Sequence, residues 1–221
     1  MQVSFIFILQ RRFMKQENTK QKILDTALAL FSERGYDSVS VGDIAKAVGI
    51  KAPSLYNHYP SKQAIFDAIV ESTAVQYEKD TDEINIHVQN AAEDVPFLKE
   101  INAESLYEKV RQIFEYSLHN ENISRFRKMM TIEQFRSTQL RSLYTRRFVS
   151  RLVNYHAEVF KALMQAEIIK KEDPAALALM YVSPVITLLG ICDRNPEKES
   201  ECLAMLKTHV VLFYNMVQIN Y

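Results

Sequence analysis

Helix-breaking residues are rare in this chain, and their scarcity constrains the fold more than any other feature. The 221 residues include four glycines and six prolines. Inside a helix a glycine costs roughly 1 kcal/mol and a proline roughly 3 kcal/mol, so their rarity leaves long stretches free to be helical. No segment alternates apolar and polar residues between glycine-rich turns, as a half-buried strand does. The sequence therefore predicts an all-α protein of about nine helices.

The first predicted helix begins at Asn18 or Thr19 and stops at Gly35, and the second begins at Ser40. In the sequence SVGD, the serine hydroxyl can accept the amide of the aspartate, whose carboxylate can accept the amide of the serine. This arrangement is a capping box. Apolar residues then recur at helical spacing until Gly49, which ends the helix.

The segment KAPSLYNHYPSK, residues 51–62, has an unusual density of hydrogen-bonding side chains. A third helix is predicted here with Pro53 in its first turn, where the missing amide proton has no partner to lose. On a helical projection Leu55 and Tyr59 share one side and the polar side chains share the other. The proline after Tyr59 ends the helix, and Ser61 caps a fourth.

Two short helices joined at a glycine, the second with a polar outer face, are typical of a helix-turn-helix. The second helix of such a unit enters the DNA major groove, which is about 12 Å wide. Asn57 is suited to pair with adenine, and Ser54 and Tyr56 are suited to bind phosphates. Pro53 and Ala52 are suited to contact thymine methyl groups. The sequence therefore predicts a surface that binds double-stranded DNA.

The charge distribution favours a polyanionic partner at the same end of the chain. The whole chain has 27 Lys and Arg against 27 Asp and Glu, but residues 11–62 carry nine basic and five acidic side chains. Lys62 adds a cation beside a helix amino terminus, a combination that binds phosphate. An ordinary surface helix is the alternative, although such helices favour Lys, Glu, Gln and Ala.

Residues 26–69, TALALFSERGYDSVSVGDIAKAVGIKAPSLYNHYPSKQAIFDAI, resemble the tetracycline-repressor (TetR) family of transcriptional regulators. The resemblance covers about a fifth of the chain. It implies an all-helical homodimer whose larger carboxy-terminal domain binds a small molecule that lowers DNA affinity. In this family a long polar residue is frequent at the position of Gly42. The resemblance places nine residues at DNA-contacting positions: Gly42, Lys51, Ala52, Pro53, Ser54, Tyr56, Asn57, His58 and Lys62.

We expect three parts in the chain. Residues 1–15 form a flexible tail, 16–62 the helix-turn-helix domain and 63–221 a helical domain for effector binding and dimerisation. The opening residues lack the charge order and cleavage site of a signal peptide, and Met14 is an alternative start. Residues 81–102 are expected to be irregular. Helices of the larger part are predicted at 103–119, 123 to about 135, 138–169, 174–193, and from 196 onward.

Aromatic residues and arginines alternate along the predicted helix 138–169. An anionic amphipathic effector would lay its apolar body on the rings and its charge against the arginines. Arginines beside apolar residues are also common where nothing binds. A ligand near the far end of the fourth helix would tilt that helix. The predicted effector residues are Tyr77, Tyr144, Arg147, Phe148, Arg151 and Tyr155.

The last helix carries an apolar seam with the spacing of a helix that packs along another helix. The preceding run, Ala175–Cys192, has no charged residue. It is long enough for a membrane span, but a helix buried on all sides is the favoured interpretation. Together the two helices predict a four-helix dimer interface. Its predicted residues are Leu203, Leu206, Val210, Phe213 and Val217.

Motifs for catalysis and metal binding are lacking in the sequence. No histidine belongs to a Glu-x-x-His or His-Glu-x-x-His pair, and no glycine-rich phosphate loop occurs. We therefore expect no catalytic residue, no cofactor and no metal. A helical enzyme and a module that binds a partner protein remain open as alternatives. Cys192 and Cys202 fit a reducing, cytoplasmic compartment, with a redox pair across a helical hairpin as the alternative.

Overall fold

The protein is described by a computed structural model. Within the residues that the structure describes, side chains are described from residue 18 onward, except at 81–83, 138–140, 147 and 148. Helix α1 is continuous from residue 2. The described residues are 2–83, 96, 98–135 and 138–219.

The described residues are helical apart from their connecting turns and one isolated bridge between Ile169 and Gln218. The predicted all-α class is confirmed. The helices are α1 (Gln2–Arg34), α2 (Val41–Val48), α3 (Ala52–Tyr56), α4 (Lys62–Glu83), α5 (Ala103–His119), α6 (Glu121–Glu133), α7 (Thr138–Tyr144), α8 (Arg151–Gln165), α9 (Pro174–Arg194) and α10 (Glu199–Val217).

The chain divides into two compact units that do not follow a single cut in the sequence. The first unit is Met1–Val75 with Arg125–Glu133, and the second is Gln76–Ser124 with Gln134–Tyr221. The last turns of α6 therefore belong to the same unit as the amino-terminal helices. The predicted boundary after residue 62 and the predicted flexible tail at 1–15 remain predictions.

The first unit is built around a core to which α1, α2, α3 and α4 all contribute. The Ser40 hydroxyl accepts the Asp43 amide at 3.0 Å and the Asp43 carboxylate accepts the Ser40 amide at 2.8 Å, so the predicted capping box is confirmed. Both predicted helix stops are left-handed glycines, Gly35 at φ 80° and Gly49 at φ 84°. The most deeply buried core residues of these four helices are Ile23, Ala27, Phe31, Ile44, Leu55, Ile65 and Ile69.

Two helix predictions are wrong in their extent. Asn18 and Thr19 lie within α1 and do not cap it, because no glycine or proline interrupts the preceding residues. The single helix predicted at 138–169 is α7, a π-helical turn at Thr145–Ser150, and α8. It ends at Gln165 because Glu167 adopts a positive φ of 56°, which a right-handed helix cannot contain.

The second unit has two apolar clusters. One joins α8, α9 and α10 around Phe160, Tyr181 and Phe213. The other joins α5, α9 and α10 around Phe114 and Leu206. These clusters bury one side of α9 and one side of α10, and so determine which faces of the two helices remain at the surface.

Helix α9 begins where the sequence predicts. The Asp173 carboxylate caps it by accepting the Ala176 amide at 2.7 Å. The helix is not buried on all sides, however, since Leu179 and Met180 are 54% and 51% exposed. By length and composition α9 would also suit a membrane, a test that core helices of soluble proteins pass as well.

Cys192 and Cys202 are free, buried thiols in the second apolar cluster. Burial, with the adjacent Cys202 thiol as a further cause, raises the pKa of Cys192 to about 12. Because the thiolate is the reactive form, this environment suppresses the thiol chemistry of Cys192.

Candidate functional site

The turn between α2 and α3 is closed by backbone hydrogen bonds. The amides of Gly49 and Ile50 both donate to the Ala45 carbonyl at 3.0 Å. The Lys22 ammonium donates to the Val48 carbonyl at 3.0 Å and so ties α1 to the end of α2. Together these contacts satisfy carbonyls that a helix end leaves unpaired. They hold α2 and α3 at a set angle.

Helix α3 is shorter than the predicted helix 53–59, because it ends at Tyr56. Asn57 keeps a right-handed helical conformation with φ −69° and ψ −18°. The amides of His58 and Tyr59 both donate to the Leu55 carbonyl, at 2.9 Å and 3.0 Å. The polar face therefore continues past the helix end in a tight turn.

The two sides of the segment 51–62 differ in burial, as predicted. Leu55 is fully buried, and burial raises the pKa of the half-buried Tyr59. Of the nine residues predicted to contact DNA, three are partly buried, namely Ala52, His58 and Lys62. The other six are exposed: Gly42, Lys51, Pro53, Ser54, Tyr56 and Asn57.

His58 is the least satisfied of the nine. Its Nδ1 atom is buried and has no hydrogen-bond partner within the described part of the chain. A buried polar atom without a partner is uncommon in folded proteins.

Lys62 has a structural role that the sequence did not predict. Its ammonium donates to the carbonyls of Tyr36 and Val39, at 2.9 Å and 3.0 Å, and lies 4.2 Å from the centre of the Tyr36 ring. Two of its three donor protons are thus used within the protein. Lys62 holds the loop that leads into α2, and one proton remains for a phosphate.

Glu133 is a residue of this unit that the sequence analysis missed. It is 1% exposed, and its Oε1 accepts the Tyr36 amide at 2.9 Å. A buried carboxylate requires such bonds, because an unpaired buried charge is very costly. Glu133 and Tyr36 are 97 residues apart, so no local pattern links them.

Gly42 in α2 and Gly49 at its carboxy-terminal cap should respond oppositely to alanine. A Cβ at Gly42 would meet only the Ser40 hydroxyl, at 3.5 Å. Gly42→Ala is therefore expected to raise the free energy of unfolding by about 0.5 to 1 kcal/mol. Gly49→Ala is expected to lower it by about 1 kcal/mol, since φ is 84° there. Urea titrations measure both changes, and equal effects of the two substitutions would contradict the assignment.

The predicted effector residues whose side chains are described have different surroundings. The Arg151 guanidinium is paired with the Glu78 carboxylate at 2.6 Å, and Tyr77 packs against Tyr116 with ring centres 6.0 Å apart. Tyr144 is half-buried. The side chains of Arg147 and Phe148 lie outside the described residues. Because its charge is already balanced, Arg151 is poorly suited to the predicted anionic effector.

The second unit contains a cavity of about 140 Å³. Of the predicted effector residues described, only Tyr155 lines it. Its walls are mostly aliphatic and aromatic side chains from α5, α8, α9 and α10, among them Val110, Phe160, Tyr181 and Phe213. Among the described residues, no group of three or more His, Cys, Asp or Glu is arranged to hold a metal ion.

The predicted dimer seam lies mainly inside its own chain. Leu206, Val210, Phe213 and Val217 are at most 6% exposed and belong to the two apolar clusters, and Leu203 packs against one of them. Because these side chains pack within their own chain, they offer a partner less apolar surface than the exposed face of α10 does. The exposed large apolar residues of α9 and α10 are Leu179, Met180, Met205, Leu212 and Met216.

Comparison with known proteins agrees with the helix-turn-helix arrangement of α2 and α3. Residues 23–69 match the model of the tetR family of bacterial regulatory proteins. A stretch of 52 residues, 24% of this chain, is 52% identical to the biofilm operon icaADBC HTH-type negative transcriptional regulator IcaR of Staphylococcus aureus. The match spans 28% of the length of that regulator.

Two solved structures share the whole fold at low identity. A tetR-family regulator from Mesorhizobium loti superposes with a TM-score of 0.68 and 20% identity, over 92% of this chain and 98% of its own. SmeT, the repressor of the Stenotrophomonas maltophilia multidrug efflux pump SmeDEF, in complex with triclosan, gives 0.65 and 20%, over 92% and 93%. Residues 23–69 are thus similar to the tetR family of bacterial regulatory proteins, and the chain as a whole shares the fold of these solved regulators.

Proposed function

We propose that this protein is a cytoplasmic transcriptional regulator that binds a near-palindromic operator as a homodimer and is released from it by a small molecule. The observation that carries the proposal is the exposed polar face of α3 behind a buried Leu55 anchor, within the part of the chain that matches the family. The negative regulator from S. aureus, which matches in the same part, favours repression over activation.

DNA binding is assigned to the loop and helix from Lys51 to Asn57. Ser54 and Tyr56 are exposed and suited to phosphates, and Asn57 to an adenine edge. Lys51 in this segment and Lys46 on α2 add exposed positive charge. Such charges supply the affinity that depends on salt and not on sequence.

Dimerisation is assigned to the outer faces of α9 and α10. Met205, Leu212 and Met216 are 42% to 63% exposed and follow helical spacing along α10, and Leu179 and Met180 are exposed on α9. Pairing these faces about a twofold axis covers them and forms a four-helix bundle. The symmetry sets two α3 helices against half-sites about 34 Å apart, or a multiple of that distance.

Effector binding is assigned to the apolar cavity of the second unit. SmeT, a protein of the same fold, has been solved with triclosan bound, which favours a small-molecule effector here. For regulation the effector must prefer the state that does not bind DNA, by about 1.4 kcal/mol for each tenfold loss of operator affinity.

The DNA-binding role is tested with two alanine variants. Asn57→Ala is expected to cost about 1 to 3 kcal/mol of binding free energy and to relax preference at one or two base pairs. Lys62→Ala is expected to weaken binding to all sequences alike and to lower the salt slope by about one charge. Lys62→Ala also removes two bonds to backbone carbonyls, so its stability must be measured beside its affinity.

The operator is first located by a genome-wide binding assay, and fluorescence anisotropy then gives affinity against salt. Gln76→Ala, an exposed change on α4, serves as the control. Unchanged operator affinity in both test variants would show that α3 does not read DNA. If wild-type protein has no salt-dependent DNA affinity, a module that binds a partner protein becomes the better interpretation.

A further inference from the structure

The cavity of the second unit contains a polar group that the fold does not use. Tyr181 is 8% exposed and lines the cavity. Among the described residues, no hydrogen bond involves the Tyr181 hydroxyl. Burial raises the pKa of Tyr181, so the phenol is neutral near pH 7. The hydroxyl is not among the buried polar atoms that lack a partner, so it is accessible, and the cavity that Tyr181 lines is where a ligand can bond to it.

A second tyrosine in the cavity wall provides a contrast. The Tyr214 hydroxyl donates to the Ile101 carbonyl at 3.0 Å, so its hydrogen-bonding need is met within the protein. Both tyrosines line the same cavity, but of the two hydroxyls only that of Tyr214 has a hydrogen bond among the described residues. Of the two, Tyr181 is therefore the one whose hydroxyl is available to a ligand.

Rings surround Tyr181 and limit the shape of a ligand. Its ring centre lies 4.9 Å from that of Phe213, 5.1 Å from that of His156 and 5.8 Å from that of Phe160, the last at an interplanar angle of 90°. These separations are those of favourable aromatic pairs. A flat aromatic ligand would extend this cluster with the same edge and face contacts.

The volume limits the size of a ligand. A cavity of about 140 Å³ is close to an engineered apolar cavity of about 150 Å³ that binds benzene. One six-membered ring with one or two small substituents fits such a space. Fused or linked ring systems would require the helices to move apart.

The charges of the lining limit the ionisation state of a ligand. Lys109 is the one Lys or Arg among the described residues that line the cavity, and none of them is Asp or Glu. Lys109 already takes part in an interaction of its own, for which a carboxylate would have to compete. An unpaired carboxylate in apolar surroundings is strongly disfavoured, so a neutral molecule suits the cavity better.

We propose that the cavity binds a neutral monocyclic phenol whose ring packs against Phe160 and Phe213 and whose hydroxyl bonds to the Tyr181 hydroxyl. The proposal names a ligand class for the cavity to which effector binding is assigned. Only the regulatory effect of the ligand rests on the proposed function. Either hydroxyl of the pair can donate or accept, so the bond forms without rearrangement of the lining.

Calorimetric titration of the full-length protein with 4-methylphenol and 1,4-dimethylbenzene tests the proposal. The two probes have nearly the same shape and differ in one hydroxyl. In Tyr181→Phe the ratio of the two affinities is expected to fall about tenfold from its wild-type value, the effect of one lost hydrogen bond. In the matched control Tyr214→Phe the ratio is expected to stay unchanged.

An equal ratio in wild type and Tyr181→Phe would overturn the proposal, as would no binding of 4-methylphenol to wild type. A third probe, 4-methylbenzoate, is ionised at pH 7. Tighter binding of this anion than of 4-methylphenol would overturn the neutral ligand class and favour Lys109 as the anchor. If Tyr181→Phe does not fold, the affinities of wild-type protein for 4-methylphenol and 1,4-dimethylbenzene decide the question, and equal affinities would overturn the proposal.

The regulatory role is separated by measuring operator affinity with and without saturating 4-methylphenol. Linkage requires each ligand to weaken the other by the same factor. Binding that depends on Tyr181 with unchanged operator affinity would support the phenol site and contradict its part in regulation. No probe binding in a protein that still binds DNA would contradict the phenol site and leave the DNA-binding function standing.

Discussion

Leu212→Glu is expected to convert the dimer into folded monomers and to lower operator affinity by at least about 100-fold. Leu212 is 63% exposed on the outer face of α10, so the isolated chain accommodates a glutamate there. In a twofold dimer the two new carboxylates would be brought together in an apolar interface. Loss of the dimer removes the gain from binding two half-sites at once, which is typically 100-fold or more.

Sedimentation and fluorescence anisotropy measure the two effects. Val75→Glu is the matched control, because Val75 is 61% exposed but lies on α4, and it should leave the dimer intact. Val210→Glu separates the two faces of α10. Val210 is fully buried within its own chain, so this variant should unfold and not merely dissociate. A dimeric Leu212→Glu protein with wild-type operator affinity would refute the assigned interface.

Glu133→Ala is expected to lower the free energy of unfolding of the first unit by about 2 to 4 kcal/mol and to weaken operator binding. The change leaves the Tyr36 amide without its acceptor and opens a space where a fully buried side chain stood. Tyr36 also supplies a carbonyl and a ring to Lys62. Loss of the bond therefore loosens the loop that leads into α2.

Glu133→Gln keeps an oxygen that can accept the Tyr36 amide, and it should lose less than half as much stability as the alanine variant. Urea unfolding followed by hydrogen exchange at the Tyr36 amide measures the effect at the bond itself. An alanine variant as stable as wild type, with the same protection at Tyr36, would show that the bond contributes little.

Much of the first unit follows from local sequence. The capping box at Ser40, the left-handed stop at Gly49 and the cap at Ser61 each involve residues within four positions of one another. Local hydrogen bonds and backbone preferences decide such features, so a pattern of a few residues predicts them. The division of α3 into a buried Leu55 and an exposed polar face follows from helical periodicity in the same way.

The functional residues of the second unit were harder to predict from the sequence. Apolar spacing on α10 correctly marks a buried face, but spacing is the same whether the covering residues come from the same chain or from a partner. The structure shows that Val210 and Phe213 are covered by their own chain, which moves the proposed interface to Leu212 and its neighbours. The ion pair of Arg151 could not be predicted either, because its partner Glu78 is remote in sequence.

The sequence by itself determined the helical class, the caps and stops of the short helices, and the polar face of α3, because each depends on residues that are neighbours in the chain. Only the tertiary structure decided that Glu133 holds the Tyr36 amide, that Lys62 holds the loop before α2, and that Tyr181 lines a cavity. These features depend on which distant side chains come into contact. Burial and hydrogen bonding between distant segments are properties of the packed core, and no local pattern encodes them.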